Sequence, residues 1–305
     1  MTQFHVRTWA VDLDGPLVEF LDDDHGVAWL HDEHGAVGFG TAAVIDGGVG
    51  VERFARLEHR FAALADTARI RDEVEAPGTG LVGFATGSFD PSSHGTLLVV
   101  PELIVGRGEA GGYVTRIGTS PPPSEPVLPP REPVSAAPVD RPRYAGASVP
   151  DVAWLEAVAA ALQRIEAGRI DKVVLARDHA VWAKVAFSSR RLTARLRQRF
   201  PHCYTFVVDG FVGATPELLI SRHELEVTSR VLAGSAPRDD DPAIDQQLAA
   251  DLLASDKDRW EHELAVQTVR DSLRPFCANL DVEAEPHVLR LANVMHLGTW
   301  FRGRL

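Results

Sequence analysis

The sequence predicts an α+β chain, and two early patterns point there. Residues 26–45 (GVAWLHDEHGAVGFGTAAVI) alternate apolar and polar side chains and are broken by glycines, as short strands joined by turns are. Residues 51–70 (VERFARLEHRFAALADTARI) instead place Phe54, Leu57, Phe61 and Leu64 at helical spacing. Two further segments, GLVGFATGSFDP (80–91) and GTLLVVPELIVG (95–106), read as paired strands. Residues 1–118 therefore form an N-terminal α+β half.

Residues 119–150 hold half of the chain's 20 prolines and read as a linker or extended excursion, stiff rather than packed. From 151 to 305 helices and strands alternate more clearly. Ser148 is placed to cap a helix with Pro150 in its first turn. Trp154, Leu155, Val158, Leu162 and Ile165 line one face of that helix, and Gly168 suits its C-terminal stop. A strand is expected over KVVLARDHAVWA (172–183), then a short basic helix over about 189–199. Strands are expected over CYTFVVDGFVGA (203–214) and ELLISRHELEV (217–227), with SRVLAGSA (229–236) as a further candidate. A long helical stretch over about 242–277, broken near Ser255, precedes a final strand pair near 280–305. No internal repeat is evident.

With 305 residues, 45% of them hydrophobic, the chain can bury a large core. Its net charge of −12, without a basic patch, argues against a nucleic-acid partner. No apolar run reaches the roughly 20 residues of a membrane span, and the N-terminus lacks the basic start and apolar run of a signal peptide. The two cysteines, Cys203 and Cys277, sit in apolar contexts without metal-like spacing and read as ordinary buried thiols. A cytoplasmic location is expected.

Several residues could carry chemistry, and each has a plainer reading. Lys172 opens an apolar segment and would act as a base only if burial or nearby cations lowered its pKa; otherwise it is a solvated strand end. Glu217, between a turn and an apolar segment and preceded by Pro216, could be a general acid or a strand-edge glutamate. Gly234, in the small-residue turn Leu232–Ala233–Gly234–Ser235, could let backbone approach a ligand or simply make the turn. Within SDKDRWEHE (255–263), Asp258 and Glu261 share a helix face and could hold Mg2+, or be a solvated charged face. His262 lies about 100° away around that helix and is left out of the ligand set; the zinc motif HExxH does not occur. RDDDP (238–242) reads as an exposed turn capping the next helix. His296, in the near-terminal strand, is a satisfied core histidine or a hydrogen-bonding partner for a substrate carboxylate or hydroxyl.

Taken in order, KVVLAR, TPELLI, LAGSAPR, LLASDKDRWEHELAVQTVRDSL and NVMHLGTWFRGRL resemble the chorismate-binding enzyme family. That family comprises isochorismate synthases, salicylate synthases and the large subunits of anthranilate and aminodeoxychorismate synthases. The resemblance is clear over 151–305 and extends more loosely to GFATGSFDP and LLVVPE. It implies a fold of β-sheets packed together with helices outside. It also implies Lys172 as the base that activates water for attack on C2 of chorismate, and Glu217 as the acid that protonates the departing C4 hydroxyl. Gly234 would contact substrate, with Ser235 beside it and His296 near the ring. Glu261 would ligate Mg2+, with Asp258 as a second carboxylate acting through water.

Three positions place the resemblance nearest the isochorismate synthases, which are isomerases. Lys172 favours water over ammonia as nucleophile. Ala233 stands where aminodeoxychorismate enzymes carry a nucleophilic lysine. Ser235 replaces the threonine common in anthranilate and salicylate synthases. A salicylate or anthranilate synthase-type enzyme, or a non-catalytic partner-binding remnant, is the alternative. The product would feed menaquinone or siderophore and salicylate synthesis. The resemblance further implies an arginine strand, a glycine-rich loop and a second metal glutamate beyond the segment that ends the sequence, and none has a counterpart here. The expectation is a site incomplete at its C-terminal side, inactive alone or completed by a second, complementing C-terminal polypeptide.

Overall fold

A computed structural model describes residues 3–134 and 141–305. The chain divides into two compact units: Met1–Ser135 with Ser188–Leu305, and Ala136–Phe187.

The first unit is built on three sheets. The largest has eight strands in the order Phe211–Thr215, Tyr204–Val208, Val27–His31, His34–Phe39, Leu103–Gly108, Gly111–Gly118, His5–Val11, Arg69–Asp72. Among its neighbours only His5–Val11 and Arg69–Asp72 run parallel. Tight turns with residues in the left-handed region join its hairpins, Asp32 (φ 47) in one and Asp209–Gly210 (φ 50 and 74) in another. Both faces are apolar. One carries Val6, Val27, Ile104 and Ile117 towards the three-stranded sheet of Ala43–Asp46, Leu97–Val100 and Phe84–Thr86. The other carries Ala28, Leu30, Val37, Val105 and Val114 towards Leu17, Val18, Phe20 and Leu21. The helix Arg53–Thr67 closes the first core with Leu57, Phe61 and Leu64, as the spacing predicts. Phe54, expected on that face, is half exposed and is covered instead by the Arg53 guanidinium, 4.4 Å from its ring.

The third sheet holds Leu218–His223, Glu226–Pro237, Val294–Arg304 and Asn279–Val282 in that order, and His287–Arg290 also pairs with Val294–Arg304. The expected final strand pair is thus three strands. The last of them is central, bonded to Glu226–Pro237 on one edge and to two short strands on the other. Helices Pro242–Ala254 and Asp256–Leu273 cover one face of this sheet. The first packs Ala249 and Leu252 on Met295 and Leu297, and the second packs Val266 on Val231 and Phe301. The helical stretch breaks at Ser255 as expected. RDDDP caps as expected too: the Asp241 side chain accepts from the Ala243 N–H with Pro242 in the first turn. The basic helix is Ser189–Arg199, capped by Ser188.

In the second unit, Arg143–Gly146 pairs with Ala180–Trp182, and Asp151–Glu166 is a helix. Two expectations need correction here. Ser148 does not cap the helix. Its hydroxyl and its N–H both bond Asp178, and the helix begins one residue after Pro150, with no side-chain cap. KVVLAR is not a strand either: no ladder reaches it, and pairing starts only at Ala180. Gly168 does end the helix, in the left-handed region at φ 64.

Among the described residues no helix is long and apolar enough to cross a membrane. Cys203 is buried and Cys277 partly buried, both free, and burial pushes the Cys203 thiol up.

Candidate active site

The site is organised by one irregularity in the strand Glu226–Pro237. Its ladder with Val294–Arg304 is regular through Ala233↔Leu297 and resumes at Ser235↔His296, so Gly234 is the extra residue of a β-bulge. The small-residue turn expected here is therefore not a turn but a bulge inside a twelve-residue strand. Gly234 lies in the left-handed region at φ 75, which favours glycine. A Cβ there would stand 3.1 Å from the Asp258 Cβ and 3.3 Å from the Asp258 carbonyl oxygen, so the bulge is also a close approach of strand to helix.

The bulge gathers most of the sequence-derived candidates. Ser235 and His296 become direct cross-strand partners, with Ser235 Oγ 2.7 Å from His296 Nδ1. Glu217 precedes the edge strand Leu218–His223, and its Oε1 accepts from the Leu232 N–H at 3.3 Å. The same Glu217 is fixed at its backbone, where its N–H donates to Thr215 Oγ1 at 3.2 Å. Its carboxylate is open to solvent. Lys172 belongs to the unit Ala136–Phe187, where it is exposed in the irregular segment after Gly168.

Asp258 and Glu261 stand on consecutive turns of the helix Asp256–Leu273. Ser255 caps that helix by accepting from the Asp258 N–H, and its hydroxyl returns a bond to Asp258 Oδ2 at 2.6 Å. Asp258 thus has a structural task that accounts for it without a metal. Glu261 Oε1 is paired with Lys257 at 3.2 Å, and that contact raises the Lys257 ammonium above its usual range. Among the described residues no group of three or more His, Cys, Asp or Glu side chains gathers as a metal cage. Mg2+ keeps several waters and often takes one or two protein carboxylates plus substrate oxygens. The pair fits such a water-rich site and not an all-protein one.

Two supporting residues are not among the candidates drawn from the sequence. His262 is 3% exposed beneath the bulge. Its Nδ1 lies 3.2 Å from the Ala233 carbonyl, which can only accept, so Nδ1 carries a proton, and Nε2 lies 2.7 Å from Thr299 Oγ1. The signal was present in the spacing: His262 shares a helical stripe with Ala265, Val266, Val269 and Leu273, so it points to the core. Arg230 donates to the Pro216 carbonyl and lies 4.7 Å from the Trp300 ring centroid, steadying the turn that presents Glu217. Nothing in the sequence pattern marks Arg230.

Residues 132–305 match the family model described as chorismate binding enzyme. The isochorismate synthase DhbC of Bacillus subtilis is 37% identical over 155 residues, which are 47% of this chain and 39% of that protein. The isochorismate synthase EntC of Escherichia coli is 39% identical over 141 residues, which are 45% of this chain and 36% of that one. The chain thus spans well under half the length of either relative. The solved structure of DhbC from Bacillus anthracis superposes with a TM-score of 0.71 at 27% identity, covering 95% of this chain and 70% of that one. With more than half of its residues inside the family model and nearly all of them inside the shared α+β fold, the chain belongs to the chorismate binding enzyme family.

Proposed function

We propose that this chain carries the acid, base and metal side of an isochorismate-forming site. Chorismate is the substrate, a ring dicarboxylate with a hydroxyl at C4. Lys172 takes a proton from water as the water oxygen bonds to C2. The ring double bonds shift, and the C4 oxygen leaves as water with a proton from Glu217. A base and an acid acting together avoid a free hydroxide or oxyanion in an apolar cleft. Gly234 lets the backbone approach the ring, and the Ser235–His296 pair supplies a hydroxyl and an imidazole for a substrate oxygen. Glu261, with Asp258 through water, would hold Mg2+, which neutralises and orients a carboxylate when bound.

The observation that carries this reading is the bulge at Gly234, which brings Glu217, Ser235 and His296 to one stretch of strand. Solvent at Glu217 also speaks for a second component, because a carboxyl that serves as an acid near neutral pH needs shelter from water. A complementing polypeptide would supply that cover and the groups that bind the substrate carboxylates. A cytoplasmic location, the expected setting for two free thiols, completes the proposal.

The test is chorismate turnover with Mg2+ and chromatographic separation of products. It is run on the 305-residue chain alone, and with the remaining C-terminal part of the Bacillus subtilis relative added in trans or fused. Isochorismate from the completed enzyme, lost in Lys172→Ala and Glu217→Gln, is the expected result. Formation of isochorismate by a Lys172→Ala enzyme would remove the assigned base. Formation by the chain alone would remove the need for a partner.

A further inference from the structure

One cavity of the first unit has no part in the proposed chemistry. It measures about 740 Å³, within the roughly 300–1,000 Å³ range of small-molecule sites. None of Glu217, Gly234, Ser235 or His296 lines it. We propose that it binds an organic ammonium ion with an apolar ring body.

Its shape comes from missing side chains. Gly35, Ala36, Ala76, Gly83 and Ala85 form much of the wall, over a floor that includes Val74, Val82, Phe84 and Val208. That space is large enough for two rings and has no charged group in its floor. Tyr113 contributes the one hydroxyl there. Burial, with the nearby Asp72 carboxylate, pushes its phenol up to about 12, so it stays a neutral donor at ordinary pH.

The mouth is built rather than loose. Asp72 Oδ1 accepts from the N–H groups of Val74 and Glu75 at 2.9 and 3.0 Å, and Thr79 Oγ1 accepts from the Ala76 N–H at 3.1 Å. Gly80 is tied through its N–H to the buried Thr8 hydroxyl at 3.1 Å. This scaffold holds Glu75 at φ 50, a conformation that a glutamate seldom adopts, on the cavity lining.

The charge of the lining selects the ligand. Glu75 and Glu109 supply two carboxylates against one guanidinium, Arg107, whose Nη2 is committed to the carbonyls of Leu13 and Gly15. Trp29, nearly half exposed and packed against Tyr204 and Phe206, also lines the cavity. Carboxylates and a half-exposed indole favour an ammonium group. The same carboxylates disfavour anions, chorismate among them, so this site is separate from the proposed substrate site and stands whether or not that reading does.

Three probes of one shape and three charges test it by isothermal titration into the full chain: 4-phenylbenzylamine, 4-phenylphenol and biphenyl-4-carboxylate. The amine is expected to bind at least ~10-fold more tightly than the carboxylate, a difference of about 1.4 kcal/mol. Ala85→Trp and Ala110→Trp, both at exposed positions on the lining, fill the cavity and should weaken the amine ~10-fold or more. The double substitution Glu75→Gln, Glu109→Gln should abolish the preference for the amine and leave the phenol unchanged. It also serves if the tryptophan variants fail to fold, which circular dichroism would reveal. Equal affinity for amine and carboxylate, undiminished binding in folded tryptophan variants, or no binding of the amine at millimolar concentration would each overturn the proposal.

Discussion

Two helices of nearly equal length meet opposite fates in this molecule. Asp256–Leu273, of 18 residues, buries His262 and Val266 and packs Ala265, Val269 and Leu273 on the third sheet. Asp151–Glu166, of 16 residues, buries none. Leu155 is 66% exposed and Leu162 55%. Both sequences carry an apolar stripe at helical spacing. Periodicity therefore reports that a helix has a face to bury, and only tertiary structure reports whether anything covers it. The helix with a covered face supports the bulge; the other leaves apolar surface open to a partner.

Substitutions can break or sharpen that contrast. The largest effect is expected at Phe301, fully buried beneath the covered helix. Phe301→Ala should cost about 3–5 kcal/mol in urea unfolding through the cavity it leaves. A loss below about 1 kcal/mol would mean that the helix is not seated there. His262→Ala comes next. It strips the Ala233 carbonyl and the Thr299 hydroxyl of a buried partner and should cost about 1–3 kcal/mol. His262→Gln, which keeps a donor and an acceptor, should recover part of that loss by the same measurement.

Ser255→Ala removes the cap of the covered helix and should cost about 1 kcal/mol. Ser148→Ala should cost less, since Ser148 bonds Asp178 and caps nothing. Equal costs for the two serines would restore the sequence expectation that Ser148 is a cap. Smallest of all, Leu155→Ala in the uncovered helix should fall within about 0.5 kcal/mol of the parent. If the same substitution destabilises the chain once a complementing polypeptide is bound, the partner sits on that face.

Much of the fold was legible because its signals are local. The break at Ser255 and the cap at Asp241 with Pro242 after it each follow from a few adjacent residues, whereas the segment 203–214, read as one strand, is two strands joined by a turn at Asp209–Gly210. The bulge at Gly234 was harder. Val227, Ser229, Val231 and Ala233 alternate onto the helix-covered face, and Ala236 joins that face out of step with them. A glycine at the point where alternation slips is a bulge signal, but the short string LAGS is also good turn chemistry. KVVLAR failed as a strand for a different reason. Its apolar run satisfies strand propensity, yet a strand also needs a neighbour to bond, and no ladder reaches it. Within the site, Glu217, Ser235 and His296 were legible as types at fixed places in a motif order. Arg230 was not, because its contribution depends on the fold bringing Pro216 and Trp300 to its two ends.

That last arrangement gives the protein an optical gauge of its own. The Arg230 guanidinium rests on the Trp300 indole while donating to the carbonyl just before Glu217. Any ligand that pulls the Pro216–Glu217 turn inward must drag a positive charge across an indole face. The emission of Trp300 should shift when it does, so occupancy beside Glu217 can be followed by fluorescence without a label and without turnover.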